Sequence, residues 1–381
     1  MGLFDLFRKK VQKQEVPKAE LNTKPSEHIQ ITVTIGTNNE VPSLHNLVAA
    51  ATPSKQGLYP HEILMLNYAS TYKTSGNTFQ GFWLYEYGVN NPQAVLDSLL
   101  ARGFISIGGI KDTLQRQTVS TLKMELSRIK AKASGKKEAL IERILELEDT
   151  ATLEAQFPDK YFVPTEKGVR EISDNEYVLY LHRKRYMSVW EMNKLLNANG
   201  PRHLPYRDIL WGEFNRQSLE HINNLDFGLY RNTRLSMYEF LMEENRYRDA
   251  FSCLCEVLYS DFSGLGNSER LFFSNDAKAH RFSLGLKLES CFPYEKSLVR
   301  LSPKMKEYLV GLQEKLRLDN ANLENTLRTE FEGCSFLPFH VFTVDECVEI
   351  VMGELNNQTE QIIRIYQTAE TRMRKEYNSI K

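Results

Sequence analysis

The chain has 381 residues, a quarter of them charged, and a formal net charge of −1 at pH 7. That length accommodates two or three domains, each with its own core, and the neutral balance excludes a polycation, so contact with nucleic acid requires a local basic patch. No apolar run reaches the roughly 18 residues of a membrane-spanning helix.

Residues 1–10 (MGLFDLFRKK) lack the apolar stretch and cleavage site of a signal peptide, and Leu6 breaks the myristoylation pattern. Leu3, Phe4 and Phe7 share a face beside Arg8, Lys9 and Lys10, but so short a segment does not hold a helix alone and reads as a frayed start. Residues 1–55 read as a flexible tail rich in Lys, Gln, Glu, Pro, Ser, Thr and Asn. Only residues 29–35 alternate as a strand would.

Order is expected from Tyr59-Pro60, with Pro60 in a first helical turn and Ile63, Leu64, Leu66 and Tyr68 following. Gly76 and Asn77 end that helix, and the aromatic residues 79–87 suit a second. Asn91 caps a third helix that Pro92 opens and Gly103 closes. Residues 104–107 read as a strand, residues 160–164 as another, and Thr165 starts a helix. With the intervening segment set aside, this order is that of a winged helix whose wing carries an insertion. From about Asn175 onward the pattern is helical, with breaks at Asn199-Gly200-Pro201, Asn245 and residues 263–266. A last long helix is expected from Thr343, bearing Val348, Val351, Leu355, Ile362 and Ile363 on one side.

The insertion holds the most specific signal. Thr118 can cap a helix on which Val119, Leu122, Leu126 and Ile129 form one face. A connector, residues 130–135, leads to a second helix with Leu140, Ile141, Ile144 and Leu145 on its apolar face. From Lys111 to Arg143 the charge sums to +5 in a chain that is neutral overall. Ser134-Gly135 lets backbone approach a phosphate closely, the second helix supplies free N–H groups, and Lys136 and Lys137 stand beside them.

These residues resemble the SAP motif: Leu122-Lys123, Leu126, Ser134-Gly135, Lys136-Lys137, Leu140-Ile141 and Arg143-Ile144 follow its pattern. Lys130 replaces the usual glycine, and Ala131 a larger hydrophobe. The chain as a whole resembles SAP-containing proteins of bacteria and their phages, which implies no particular reaction. The resemblance implies binding of double-stranded DNA with little base reading, and lysine–phosphate contacts agree with that. The residues expected at DNA are Lys123, Lys130, Lys132, Ser134, Gly135, Lys136, Lys137 and Arg143. A solvated basic face is the plainer alternative.

Catalytic motifs are lacking: no phosphate-binding or dinucleotide loop, no H-E-x-x-H and no G-x-S-x-G. Asp208 and Glu213 could belong to a nuclease, but no lysine follows Glu213 at two residues. The scattered histidines suggest surface positions, and residues 182–186 form a second basic cluster that extends a DNA track or is simply solvated. Trp83, Trp190 and Trp211 read as core. Five cysteines, an odd number in no zinc spacing, indicate buried thiols and a reducing cytoplasmic compartment, nucleoid-associated if DNA is bound.

The expectation is a mainly α protein. A tail (1–55) precedes a winged-helix-like domain (56–175) with the SAP hairpin at 118–148 inserted, and a helical interaction domain (176–381) follows. Its expected role is to tether a protein partner to duplex DNA, without enzymatic activity, cofactor or metal. A helical scaffold whose basic hairpin binds protein or another anionic surface is the alternative, and a nuclease the distant one.

Overall fold

A computed structural model describes residues 41–198, 204–292 and 301–380. The amphipathic start at residues 1–10, the candidate strand at 29–35 and the break at Asn199-Gly200-Pro201 lie outside the described residues. The fold is mainly α-helical, with one two-stranded sheet.

Order begins earlier than expected. Helix α1 (Leu44–Ala49) lies inside the segment read as tail. Leu44, Leu47, Val48 and Ala51 pack against the core, and Thr52 and the buried Asn193 exchange two hydrogen bonds of 2.9 and 3.0 Å. The entering chain runs so close to Gly88 that a Cβ there would sit 2.3 Å from the Pro42 carbonyl oxygen, at a φ of +66°. These few apolar anchors are diluted by polar neighbours, which is why composition alone suggested a tail.

Helix α2 (Pro60–Tyr68) starts at Pro60 and is buried along almost its whole length. Only residues 82–85 of the aromatic stretch 79–87 form a helix, α3 (Phe82–Tyr85). The stretch is held instead by ring contacts, with Phe82 and Trp83 centroids 4.9 Å apart. Helix α4 (Pro92–Ala101) is capped by Asn91, whose side chain accepts the Ala94 N–H, and Gly103 follows it at a φ of +73°. Strand β1 (Ile105–Ile107) pairs antiparallel with β2 (Phe162–Pro164), Ser106 opposite Val163. Thr165 caps the next helix, α9 (Glu166–Asp174), after four helices of the insertion. Here the packing is tight: a Cβ on Gly168 would lie 2.2 Å from the Phe104 carbonyl oxygen.

The chain continues through α10 (Tyr177–Lys184), α11 (Val189–Ala198), α12 (Tyr206–Asn223), α13 (Phe227–Glu243) and α14 (Tyr247–Ser263). Asn245, at a φ of +57°, makes the break between α13 and α14. Then come α15 (Ala277–Cys291), α16 (Pro303–Leu316), α17 (Asn320–Gly333), α18 (Val344–Leu355) and α19 (Thr359–Ser379). The single last helix expected from Thr343 is therefore two. Asn357 at a φ of +57° breaks it, and Ile363 turns outward on the second piece while Ile362 is buried.

One hydrophobic core runs from Leu58 to Met373, through both segments expected as separate domains. The insertion between β1 and β2 stands apart from it. Leu114, Leu122, Leu126, Leu140, Ile141, Ile144 and Leu153 form a second core of their own. No helix among the described residues is long and apolar enough to cross a membrane.

Candidate nucleic-acid interface

The insertion consists of α5 (Ile110–Arg116), α6 (Val119–Arg128), α7 (Lys137–Leu147) and α8 (Thr150–Gln156). Thr118 caps α6, its hydroxyl accepting the Thr121 N–H at 3.1 Å. Leu122 and Leu126 are fully buried, whereas Val119 is 41% exposed and lies outside the second core, because it sits at the helix start beyond the reach of α7.

Helix α6 ends in a paired closure. The Lys130 N–H donates to Ser127 O at 3.0 Å and the Ala131 N–H to Leu126 O at 2.7 Å. This is the Schellman arrangement, and it requires a left-handed residue between the two donors' ends. Lys130 supplies it at a φ of +58°. The turn thus keeps the geometry a glycine would favour, with a lysine in its place, and Ala131 still packs against the second core. Substituting Lys130→Gly is expected to stabilise the hairpin by about 0.5–1 kcal/mol by relieving the left-handed Cβ, while removing one cation. Chemical denaturation should show the gain, and duplex titration a loss of opposite sign.

The connector is held from both sides. The Arg143 guanidinium donates to the Lys132 carbonyl and, at 3.2 Å, to the Ser134 carbonyl. Gly135, at a φ of +132°, turns the chain into α7, a backbone state other residues resist. Lys136 is the N-cap residue of α7 and offers no side-chain cap bond, leaving first-turn amides for an outside acceptor. The Lys137 ammonium donates to Gln115 O at 2.6 Å and so closes the end of α5. Lys137 and Arg143 are half-buried and serve the hairpin's own backbone. Both expected DNA-contact residues thus also hold backbone carbonyls of the hairpin, so a phosphate would share or compete for their N–H groups. Lys123, Lys130, Lys132, Ser134, Gly135 and Lys136 are exposed, as a contact surface requires.

Beyond Arg143 the hairpin adds Glu146, Glu148 and Asp149 to its acidic side. Over residues 113–149 the net charge is only +2, so segregation, not excess, makes the basic edge. Glu125 is buried and accepts from Arg128 Nε at 3.0 Å, from Arg128 Nη2 at 2.6 Å and from Gln156. Arg128 also pairs with Glu148 at 2.8 Å. These carboxylates raise the Arg128 pKa further above its ordinary value. Asp149 caps α8, and Leu153 of α8 fills the second core. Helix α8 is thus a buttress, signalled only by the i,i+3 Glu125–Arg128 pair and the Asp149–Thr152 cap. Glu138, Glu142 and Glu146 are exposed on α7 at helical spacing.

Several of the other candidates make contacts within the fold. His182 is buried rather than a surface residue, and its two ring nitrogens face the hydroxyls of Tyr68 and Tyr87 at 3.2 and 3.1 Å. Burial lowers its pKa below the usual histidine value. Beside it Lys184 pairs with Glu243, and Arg185 with Glu86 at 2.7 Å, while Arg183 is exposed with no ion pair among the described residues. Glu213 is bound by Arg216 at 2.6 Å. Cys253 and Cys255 are buried free thiols, and burial pushes Cys253 up to about 12. Trp83 and Trp190 are buried and Trp211 half-buried. Among the described residues, no group of three or more His, Cys, Asp or Glu side chains could hold a metal ion.

No curated protein matches the chain. Residues 113–149, the hairpin with the end of α5, match the family model described as SAP domain; this segment is a SAP domain, which suggests nucleic-acid binding in general.

Proposed function

We propose that this protein is a DNA-tethering adaptor. Its SAP hairpin holds duplex DNA through phosphates with little base reading, and its helical remainder recruits a protein. The observation that carries the reading is the set Lys123, Lys130, Lys132 and Lys136. All four are exposed, and no ion pair engages them among the described residues. The uncapped start of α7 stands beside Lys136. Cations of this kind bind by releasing counterions from the duplex, and amides at a helix start accept a phosphate oxygen. Of the nearby carboxylates, Glu125 and Glu148 pair with Arg128, whereas Glu138 stays exposed in the first turn of α7. The hairpin stands on a two-stranded stalk with a core of its own, so it can meet a large ligand without reshaping the main core.

The test is fluorescence anisotropy of the intact protein with a random duplex across a salt series. Four neutralised phosphates give a log–log slope of roughly −3.6 at about −0.9 each. Undetectable binding at low salt sinks the reading and favours the second one, a helical scaffold whose basic hairpin meets an acidic protein. Competition by heparin and by unrelated DNA measures how far charge alone decides.

The partner half of the proposal rests on Phe282 and Leu286. They are exposed one helical turn apart on α15, between the exposed Lys278 and Glu289. Exposed apolar pairs with a polar rim are what partner surfaces present. The double variant Phe282→Asp, Leu286→Asp should bind DNA normally yet retain no protein partner from a host lysate on DNA-coated resin. Equal retention by wild type and variant counts against that surface.

A further inference from the structure

Helix α15 is engaged on three sides and open on the fourth. Leu284 and Leu288 enter the main core. On one flank Gly285 lies against the Tyr377 ring of α19, and the Arg281 guanidinium sits 5.2 Å over the same ring. On the other flank Lys287 pairs with Glu269. The open side carries Lys278, Phe282, Leu286 and Glu289, all exposed, Phe282 by 63% and Leu286 by 50%. At about 100° per residue these four fall within an arc of about 80°. No ion pair engages Lys278 or Glu289 among the described residues.

The two charges of this stripe are placed against the helix's own field. Lys278 lies in the first turn and Glu289 in the last, whereas the macrodipole favours an anion at the start and a cation at the end. An antiparallel helix laid alongside reverses that penalty, because its end meets the start of α15. The spacing fits a copy of the same helix. A two-fold axis midway between Phe282 and Leu286 passes Leu284, and the midpoint of Lys278 and Glu289 lies only about 0.8 Å away along the helix. One operation therefore sets Phe282 on Leu286 of the second copy and Lys278 opposite Glu289 of the second copy. Such self-complementarity is what a two-fold interface requires.

We infer that α15 is a homodimer contact in which two copies of this chain pack antiparallel, Phe282 against Leu286 and Lys278 against Glu289. This rests on the partner surface named above and commits it to one occupant, a second copy. A single helix stripe stays below the roughly 1,200 Å² of a stable interface, so the dimer is reversible, with a Kd on the order of tens of micromolar.

The experiment is sedimentation velocity of the intact protein at low salt from about 1 to 200 µM, a range that brackets that Kd. It compares wild type, Lys278→Glu, Glu289→Lys and an equimolar mixture of the two variants. Each charge change relieves the dipole mismatch within its own chain, so thermal stability holds or rises. In a homodimer, however, each sets like charges opposite one another at both ends of the contact. The expected result is a wild type that passes from monomer to dimer and single variants that associate about tenfold more weakly. The mixture recovers wild-type association, because each chain then faces the opposite sign at both ends. A wild type that stays monomeric overturns the inference, as does a mixture that associates no more strongly than its components. Loss of a lysate protein by the Phe282→Asp, Leu286→Asp variant on DNA-coated resin then shows that the partner reading survives with a different occupant, and no such loss removes both.

Discussion

Alanine at both Lys132 and Lys136 lowers affinity for a random duplex at least tenfold near 0.1 M salt and makes the log–log slope about 1.8 units shallower. Both residues flank the start of α7, where the connector brings the exposed Ser134-Gly135 backbone and the uncapped amides together. Removing the two cations leaves Arg143 still holding the Lys132 and Ser134 carbonyls, so the connector keeps its course and the loss is one of charge. Lys137→Ala behaves differently. It removes the bond to the Gln115 carbonyl, so stability falls, while the salt slope stays near that of wild type. A Lys137→Ala slope as shallow as that of Lys136→Ala would show that Lys137 leaves Gln115 for a phosphate when DNA arrives. The contrast between adjacent lysines is the sharpest check on the hairpin geometry.

Acid is the second large effect. His61 is buried, its Nδ1 has no partner, and its ring stacks between Tyr59 and Trp190 at 6.5 and 5.8 Å. Burial, and then the Arg102 guanidinium, hold its pKa at about 4. His340 is likewise lowered to about 4 by burial. Its ring nitrogens lie 2.6 Å from Phe342 O and 2.8 Å from Tyr259 O, a pair of acceptors that favours the charged ring and opposes the effect of burial. His61 is thus the cleaner sensor.

A histidine near its ordinary value of about 6.5 in the unfolded chain takes up a proton there first. Between pH 6.5 and 4 the unfolded state binds more protons, and stability falls as pH falls through that window. The loss is about 3 kcal/mol at pH 4 for His61 alone. His61→Phe keeps the stacking and removes the titration. The variant's denaturant midpoint relative to that of wild type should therefore rise steadily from pH 7 toward pH 4. Parallel profiles for the two proteins would refute the assignment.

What could be read in the sequence was local. Thr118, Asn91 and Thr165 cap the helices they were expected to cap, because a side-chain oxygen and the amides it accepts lie within one turn. The hairpin was legible because Leu122, Leu126, Leu140, Ile141 and Ile144 repeat at helical spacing and meet across a short connector. The strands around it were legible from short apolar runs beside Gly103 and Thr165. The exposed lysines were legible as charge.

What the tertiary structure decided was which charges are free. Nothing in the spacing of Lys136 and Lys137 says that one faces solvent and the other closes α5, since Gln115 is distant along the chain and near only in space. The same holds for Glu125, whose burial depends on Gln156 of a helix absent from the motif, and for His182, enclosed by Tyr68 and Tyr87. The ordered start at Leu44 depends on Gly88 and Asn193, and the continuous core depends on contacts across hundreds of residues. Caps and periodic faces are set by neighbours along the chain. Burial, pairing and the freedom of a charge are set by neighbours through space, and those exist only once the chain has folded.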